Sequence, residues 1–375
     1  MKIIKKLGSV AFADVYLVKL ECGARVAIKK AKVKSDDSLK DTFREIEILH
    51  RFRNSKHIMN MISYNAATND ILIELLGDDL ADLIDSYNDV GTLIPLPIVK
   101  RFAKQILAGL IEMKNANVLH NDLKPENIML SRPLPKIFKY NLRRKILKQL
   151  YRNDPEFKHY VILNPYLKCD LIAHIKRFTN VLKELFLSNM YVKISDFGNA
   201  YTYENALTDK EFKYAVPTRY YISPEILIQS PYWVESDMWS FGCIIYELLT
   251  GEILFDPCEV NTMCIDTMHI GLIIQLFGAF PQDLLDTGHK TSRYFLDNVL
   301  FKFNYLVKKD KSFSDLFNNN DTSNNINNIN NINNINNINN INNIKDTIDF
   351  LLPIFTIDPK KRITPERCIE SKWLR

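Results

Sequence analysis

A chain of 375 residues that is 46% apolar and 25% charged can bury a full-sized core, as one large bilobal domain or two ordinary ones, and wholesale disorder is excluded. No apolar run is long enough to cross a bilayer, MKIIKKLGSV at the N-terminus lacks a signal-peptide core, and six cysteines without a C-x-x-C pair indicate neither a zinc site nor a disulfide framework. The net charge of +5 is local: residues 131–190 hold 13 Lys or Arg against 4 Asp or Glu, so this stretch carries +9 and the remainder −4.

From the N-terminus, KLGSVAFADVYLV alternates apolar and polar residues as strand, turn and strand. After a turn at Cys22–Ala24, the run Val26-Ala27-Ile28-Lys29 reads as a third strand. Residues 37–52 place Phe43, Ile46, Leu49 and His50 at three- and four-residue spacing, one apolar face of a helix. ILIELLGDDL reads as a buried strand entering a turn at Gly77. From Pro97 to Asn117, Phe102, Ile106, Leu110 and Met113 mark a helix whose role is packing.

That helix delivers the chain to HNDLKPENIML, His120–Leu130, where an acid, a lysine and an asparagine stand at intervals suited to phosphoryl transfer from ATP. Asp122 can accept the proton of an attacking hydroxyl, and Lys124 can neutralise charge on the moving phosphoryl group. Asn127 can hold Mg²⁺ through its amide oxygen. Pro125 keeps the stretch from becoming a helix. This run resembles the catalytic loop of eukaryotic protein kinases, and the resemblance spans essentially the whole chain.

It implies an α+β, bilobal protein-kinase fold over residues 1–375, with a small β-rich N-lobe to about residue 76 and a larger helical C-lobe from about residue 77. In the first turn only Gly8, Phe12 and Val15 match the family's glycine-rich pattern; Val10 and Ala13 stand where its second and third glycines would be. The resemblance assigns Lys29 to the α- and β-phosphates and gives it a helix carboxylate as partner. The REI run selects Glu45 over Glu47, because residues two apart on a helix face different ways. Leu7, Val15, Ala27 and Met129 fall among the nucleotide-binding positions, Ile73 guards the back of the adenine pocket, and backbone groups around Glu74 and Leu76 meet adenine. Asp79 lies where a carboxylate could bond the ribose, or is an ordinary helix-capping acid.

Between Leu130 and Tyr191 the chain inserts a basic spacer, 131–190, with helix-like stretches NLRRKILKQLYR and HIKRFTNVLKELFL; the second is amphipathic enough to pack on the large lobe. Its charge reads as solvated surface rather than as a nucleic-acid site. YVKISDFGNAY then presents Asp196 as the second Mg²⁺ ligand. Downstream, Thr218 is expected near Asp122 and Lys124, which favours a serine or threonine acceptor. Glu225 and Arg362 form a structural pair, and Asp237 braces the catalytic-loop backbone. SDMWSFGCIIYELLTGEILF is apolar nearly all round, as a buried helix is. DFGNA, the long spacer and HIGLII followed by L-F-G resemble the SR-protein kinase branch of the cyclin-dependent and MAP kinase group, although Ile222 stands where that group carries arginine. Residues 318–344, a near-perfect Asn-Asn-Ile repeat, are expected to be a disordered insertion.

The implied protein is a monomeric serine/threonine kinase using ATP and Mg²⁺ on a protein substrate, with basic or Arg/Ser-rich proteins as the expected class, in the cytoplasm or nucleus and without a membrane. Its rival from another class is a pseudokinase, a binding or scaffolding module with a thinned phosphate lid. Asn121 stands where phosphate-switched kinases carry an arginine beside the catalytic aspartate, so activity without prior phosphorylation is expected. Replacing Val10 by glycine should let the loop approach the nucleotide. Val10→Gly is expected to lower the KM for ATP, with Ala13→Gly lowering it further and the KM for protein substrate little changed; steady-state kinetics on both variants decide it.

Overall fold

The computed structural model describes residues 1–10, 13–32, 36–89, 91–135, 138, 180–208, 217–258, 264–303, 306–307, 312–317 and 341–375. It begins with the strands β1 (Lys2–Val10), β2 (Ala13–Lys19) and β3 (Arg25–Ala31), followed by helix α1 (Asp36–Arg51). Strands β4 (Met61–Asn65) and β5 (Asp70–Ile73) complete a five-stranded antiparallel sheet of order β1-β2-β3-β5-β4. Val26, Ala27 and Ile28 are buried in β3, and the β3–β5 register sets Lys29 opposite Ile71 and Ala27 opposite Ile73.

The apolar face of α1 differs from the expected one. Ile46, Ile48, Leu49 and Phe52 are buried, whereas Phe43 is 53% exposed and His50 lies at the surface. The buried arc runs through Glu45, Ile48, Leu49 and Phe52, at spacings of three and four. Phe43, two residues before Glu45, points roughly 200° away from it around the helix.

The remainder is mostly helical. Helix α2 (Leu80–Asn88) leads to α3 (Leu96–Asn115), which buries Phe102, Ile106, Leu110 and Met113 as the periodicity predicts. Strand β6 (Val118–Leu119) precedes the catalytic-loop run, and β7 (Ile128–Leu130) follows it. Strand β7 pairs antiparallel with β8 (Val192–Ile194), and β6 with β9 (Tyr201–Thr202). The helix Glu235–Thr250 is buried from Ser236 to Leu249 and stops at Gly251, whose φ of 75° suits glycine. A Cβ on Gly242 would stand 2.8 Å from side-chain atoms of both Ile354 and Phe355, so glycine is what allows that close packing. Among the described residues, no helix is long and apolar enough to cross a membrane.

At the spacer's end, residues 180–188 are helical and rest on the large lobe. Arg101 donates to the carbonyls of Leu187 and Ser188, an arrangement that matches cation to helix C-terminus. Lys183 is fully buried. Its ammonium donates to the Ser86 carbonyl at 3.1 Å and lies 4.4 Å from the Tyr87 ring centroid and 5.1 Å from that of Phe138. Burial lowers its pKa to about 8, with Asp89 opposing. The NLRRKILKQLYR stretch lies outside the described residues. So does the Asn-Asn-Ile repeat up to residue 340; its last residues begin the helix Ile341–Leu351.

Glu225 and Arg362 form a bidentate pair, Nη1 to Oε1 at 2.7 Å and Nη2 to Oε2 at 2.9 Å, with both side chains fully buried. Arg362 also donates to the carbonyls of Glu235 and Thr356, so one guanidinium ties three segments together. Removing one partner leaves an uncompensated charge in the core. Arg362→Ala is therefore expected to cost about 3–5 kcal/mol, read as a lower urea midpoint, and the double change Glu225→Leu/Arg362→Met should recover most of the loss.

Candidate active site

The loop after β6 is fixed from beneath. Asp237, at the start of the helix Glu235–Thr250, accepts from the backbone N–H of His120 at 2.8 Å and of Asn121 at 3.1 Å. Burial raises its pKa to about 6, with those two N–H groups and His120 opposing. Asn121 takes a left-handed φ of 63°. His120 donates through Nε2 to the Ser195 carbonyl at 2.9 Å, which joins the loop to the strand that presents Asp196.

Above this base, Asp122 and Lys124 converge on one hydroxyl. Thr218 Oγ1 lies 2.6 Å from Asp122 Oδ1 and 2.8 Å from Lys124 Nζ, and Lys124 is 3.0 Å from Asp122 Oδ2. The Thr218 backbone N–H also donates to Asp122 Oδ1, at 3.0 Å. Pro125 opens a single 3₁₀ turn, Pro125–Asn127, so the ring permits one turn rather than forbidding any; proline is tolerated at a first helical position, which needs no N–H. Asn127 donates its amide N–H to the Asp122 carbonyl at 2.7 Å, which leaves the amide oxygen as its acceptor.

The opposite wall is built around Lys29. Its ammonium meets both oxygens of Glu45, at 2.6 and 2.8 Å, and Asp196 Oδ1 at 2.8 Å. Glu47 is exposed and pairs with Arg51 on its own helix. Burial alone would favour a neutral Lys29, but the charges of Glu45 and Asp196 raise its pKa. Burial likewise opposes ionisation of Asp196, yet the charge and hydrogen bond of Lys29, with His120 and Lys124, hold its pKa below the usual carboxylate value. Asp196 sits at φ 59°, and the buried Phe197 ring beside it packs 5.9 Å from Phe52 and 5.0 Å from His120.

Between the walls lies a cavity of about 740 Å³. Leu7, Gly8, Val15, Ala27, Lys29, Ile73, Glu74, Leu76, Asp79, Asn127, Met129 and Asp196 all line it. Glu45 stands behind Lys29. The Glu74 carboxylate turns away to Lys193, at 2.7 Å, and its backbone N–H is taken by the Asn60 carbonyl, so its own carbonyl is what remains for a ligand. Asp79 caps α2 by accepting from the Asp82 N–H at 2.8 Å while lining the cavity, and burial, with Asp82 and Glu126 nearby, raises its pKa to about 6. Ala13 is buried where β2 starts, paired with Val10 at the end of β1; residues 11 and 12 lie outside the described ones.

Sequence reasoning missed several residues on the cavity wall, among them Met59, Leu75, Asp82, Glu126 and Pro133. Glu126 was in view within the KPEN run. Met59 arrives through a parallel bridge of Ile58 to Ile194, a pairing no local pattern announces. Pro133 belongs to the start of the spacer and is brought in because the Leu134 N–H donates to Asp78 Oδ2 at 2.5 Å. Gly77 permits this approach, since a Cβ there would overlap the Arg132 carbonyl group.

Comparison with known proteins agrees with the fold. The chain is 27% identical to the serine/threonine-protein kinase SRPK of Physarum polycephalum, over 100% of this chain and 85% of the relative. It is also 27% identical to the protein kinase dsk1 of Schizosaccharomyces pombe, over 99% of this chain and 80% of the relative. Both fall in the SR-protein kinase branch that the DFGNA and HIGLII runs resemble. A crystal structure of a kinase domain superposes with a TM-score of 0.64 at 20% identity, covering 100% of this chain and 94% of that one, which shows the shared fold. The family described as "Protein kinase domain", whose members use ATP, matches residues 1–374, and the chain belongs to it.

Proposed function

We propose that the chain is an active serine/threonine protein kinase that moves the γ-phosphoryl group of ATP to a protein hydroxyl. The observation that carries this reading is the convergence of Asp122 and Lys124 on the Thr218 hydroxyl, opposite a Lys29 held by two carboxylates. A carboxylate and an ammonium that can share one hydroxyl have the geometry for a base and a charge-neutralising partner.

In this reading ATP fills the 740 Å³ cavity, a size within the usual range for a cofactor site. Leu7, Val15, Ala27 and Met129 flank the adenine, the backbone at Glu74 and Leu76 bonds its edge, and Asp79 faces the ribose. Lys29 grips the α- and β-phosphates and is itself positioned by Glu45. Asp122 takes the acceptor's proton as the new P–O bond forms and the bond to the leaving ADP breaks, while Lys124 offsets charge on the transferred group. Asn127 and Asp196 both line the cavity and offer hard oxygen donors, which fit Mg²⁺. When bound, the ion would neutralise phosphate charge. Asp79, Asp82 and Glu126 on the cavity wall contribute a negative field that favours a basic protein substrate, in keeping with the SR-protein kinase relatives.

The pseudokinase alternative draws only on the glycine-poor loop at Val10 and Ala13. Phosphotransfer from radiolabelled ATP to a mixed set of basic and acidic proteins separates the two readings. Asp122→Asn is expected to abolish transfer while the protein stays folded and still binds Mg-ATP, because the amide is isosteric but cannot take the proton. Asp196→Ala is expected instead to weaken Mg-nucleotide binding itself; equal nucleotide affinity for wild type and variant would count against the metal role. With Asn121 uncharged, phosphatase-treated enzyme is expected to keep its activity, and a loss restored by an upstream kinase would reverse that conclusion.

A further inference from the structure

Glu45 reaches Lys29 only while α1 stays against the small-lobe sheet, so whatever holds α1 in place controls the site. The residue before Glu45 makes contacts that the family motifs did not point to. The Arg44 guanidinium carbon lies 4.0 Å from the centroid of the Tyr201 ring. Its Nη2 donates to Asp41 Oδ1 on the same helix at 2.8 Å and lies 3.4 Å from the Gly198 carbonyl. The Arg44 side chain is 12% exposed. Little water separates charge from ring, the setting in which a cation over an aromatic face attracts most strongly.

Tyr201 is itself anchored. Its ring is buried, and in β9 its partner across the ladder is Leu119, the last residue of β6. His120 and the loop carrying Asp122 follow directly. Gly198 stands two residues after Asp196. Arg44 thus reaches from the helix bearing Glu45 to the segment bearing Asp196 and to the strand paired with the lead-in to Asp122. A stack of this kind needs no phosphate, and the position just before Asp122 offers no cation to bind one. Asn121 is neutral, and its buried Oδ1 has no hydrogen-bond partner among the described residues.

We propose that the Arg44–Tyr201 stack is a clip that holds α1 closed, and so keeps Glu45 on Lys29, without a phosphate on the segment after Asp196. The inference rests on the reading of the chain as an active kinase and adds to it the device that sets its resting state. Arg44 and Tyr201 act here as positioning residues, with no contact to the substrate.

The test uses phosphatase-treated full chain with Arg44→Met, Tyr201→Leu, Tyr201→Phe and the double variant Arg44→Met/Tyr201→Leu. Arg44→Met and Tyr201→Leu are each expected to lower kcat about tenfold, the size of effect a desolvated cation–ring contact can have, with the KM for protein substrate little changed. Tyr201→Phe keeps the ring and is expected to keep wild-type kcat, and the double variant should be no worse than the poorer single one. Amide hydrogen exchange across α1 should quicken in the three slow variants and not in Tyr201→Phe.

Wild-type kcat and α1 protection in Arg44→Met would overturn the clip, as would fully additive losses in the double variant. If Tyr201→Leu does not fold, Arg44→Met decides, since it keeps the aliphatic stem. The exchange readout also separates the two levels of inference. A wild type without phosphotransfer whose α1 loosens in Arg44→Met would refute the kinase reading and leave the clip standing, whereas an active wild type with unchanged exchange in Arg44→Met would do the reverse.

Discussion

A single ammonium group joins the two halves of the site. Lys29 comes from the small-lobe sheet, Glu45 from α1 and Asp196 from the segment after β8, and Lys29 is within 2.8 Å of both acids. Each carboxylate is costly to bury alone, and each becomes tolerable because the same cation faces both. The arrangement is therefore cooperative. If α1 swings out, Lys29 loses a partner and Asp196 loses part of its positional restraint, so the position of one helix sets the geometry at the far side of the cleft.

The large lobe supplies the rigid counterpart. Asp237 fixes the backbone of the catalytic loop from a helix buried along most of its length, and the Trp239 ring of that helix lies among Phe255, Phe277 and Phe355 at centroid distances between 5.2 and 5.8 Å. Arg362 passes over the face of Trp239 on its way to Glu225. Charge pairing and aromatic packing thus share one core, and the loop bearing Asp122 rests on it. Phe197 closes the gap above by touching both Phe52, just beyond α1, and His120 in the loop. Apolar contact follows the same route between the lobes as the Lys29 ion pairs.

The spacer is attached where nucleotide is proposed to enter. Its first residues press on Gly77 and bring Pro133 into the cavity wall, while its closing helix inserts Lys183 between Tyr87 and Phe138. A buried ammonium held by two rings and one carbonyl is an unusual anchor for an insertion, because desolvation works against the charge. It is sustained by the ring faces, which attract a cation without demanding a counter-ion in the core.

The sequence by itself carried the chemistry of the loop. HNDLKPEN and DFG hold their functional groups a few residues apart, so local spacing alone makes Asp122, Lys124 and Asn127 neighbours; the buried face of α3 followed from periodicity, and the burial of the Glu235–Thr250 helix from its being apolar nearly all round. What the tertiary structure decided was every relation between distant segments. That Phe43 faces solvent, that Met59 and Pro133 wall the cavity and that Arg44 stacks on Tyr201 depend on how elements turn and cross after they form. Periodicity fixes which residues share a face, but it does not state which face turns inward. A residue such as Phe43 can then be apolar, correctly spaced and still exposed, because the sheet packed against α1 selected the arc through Glu45, Ile48 and Leu49 instead.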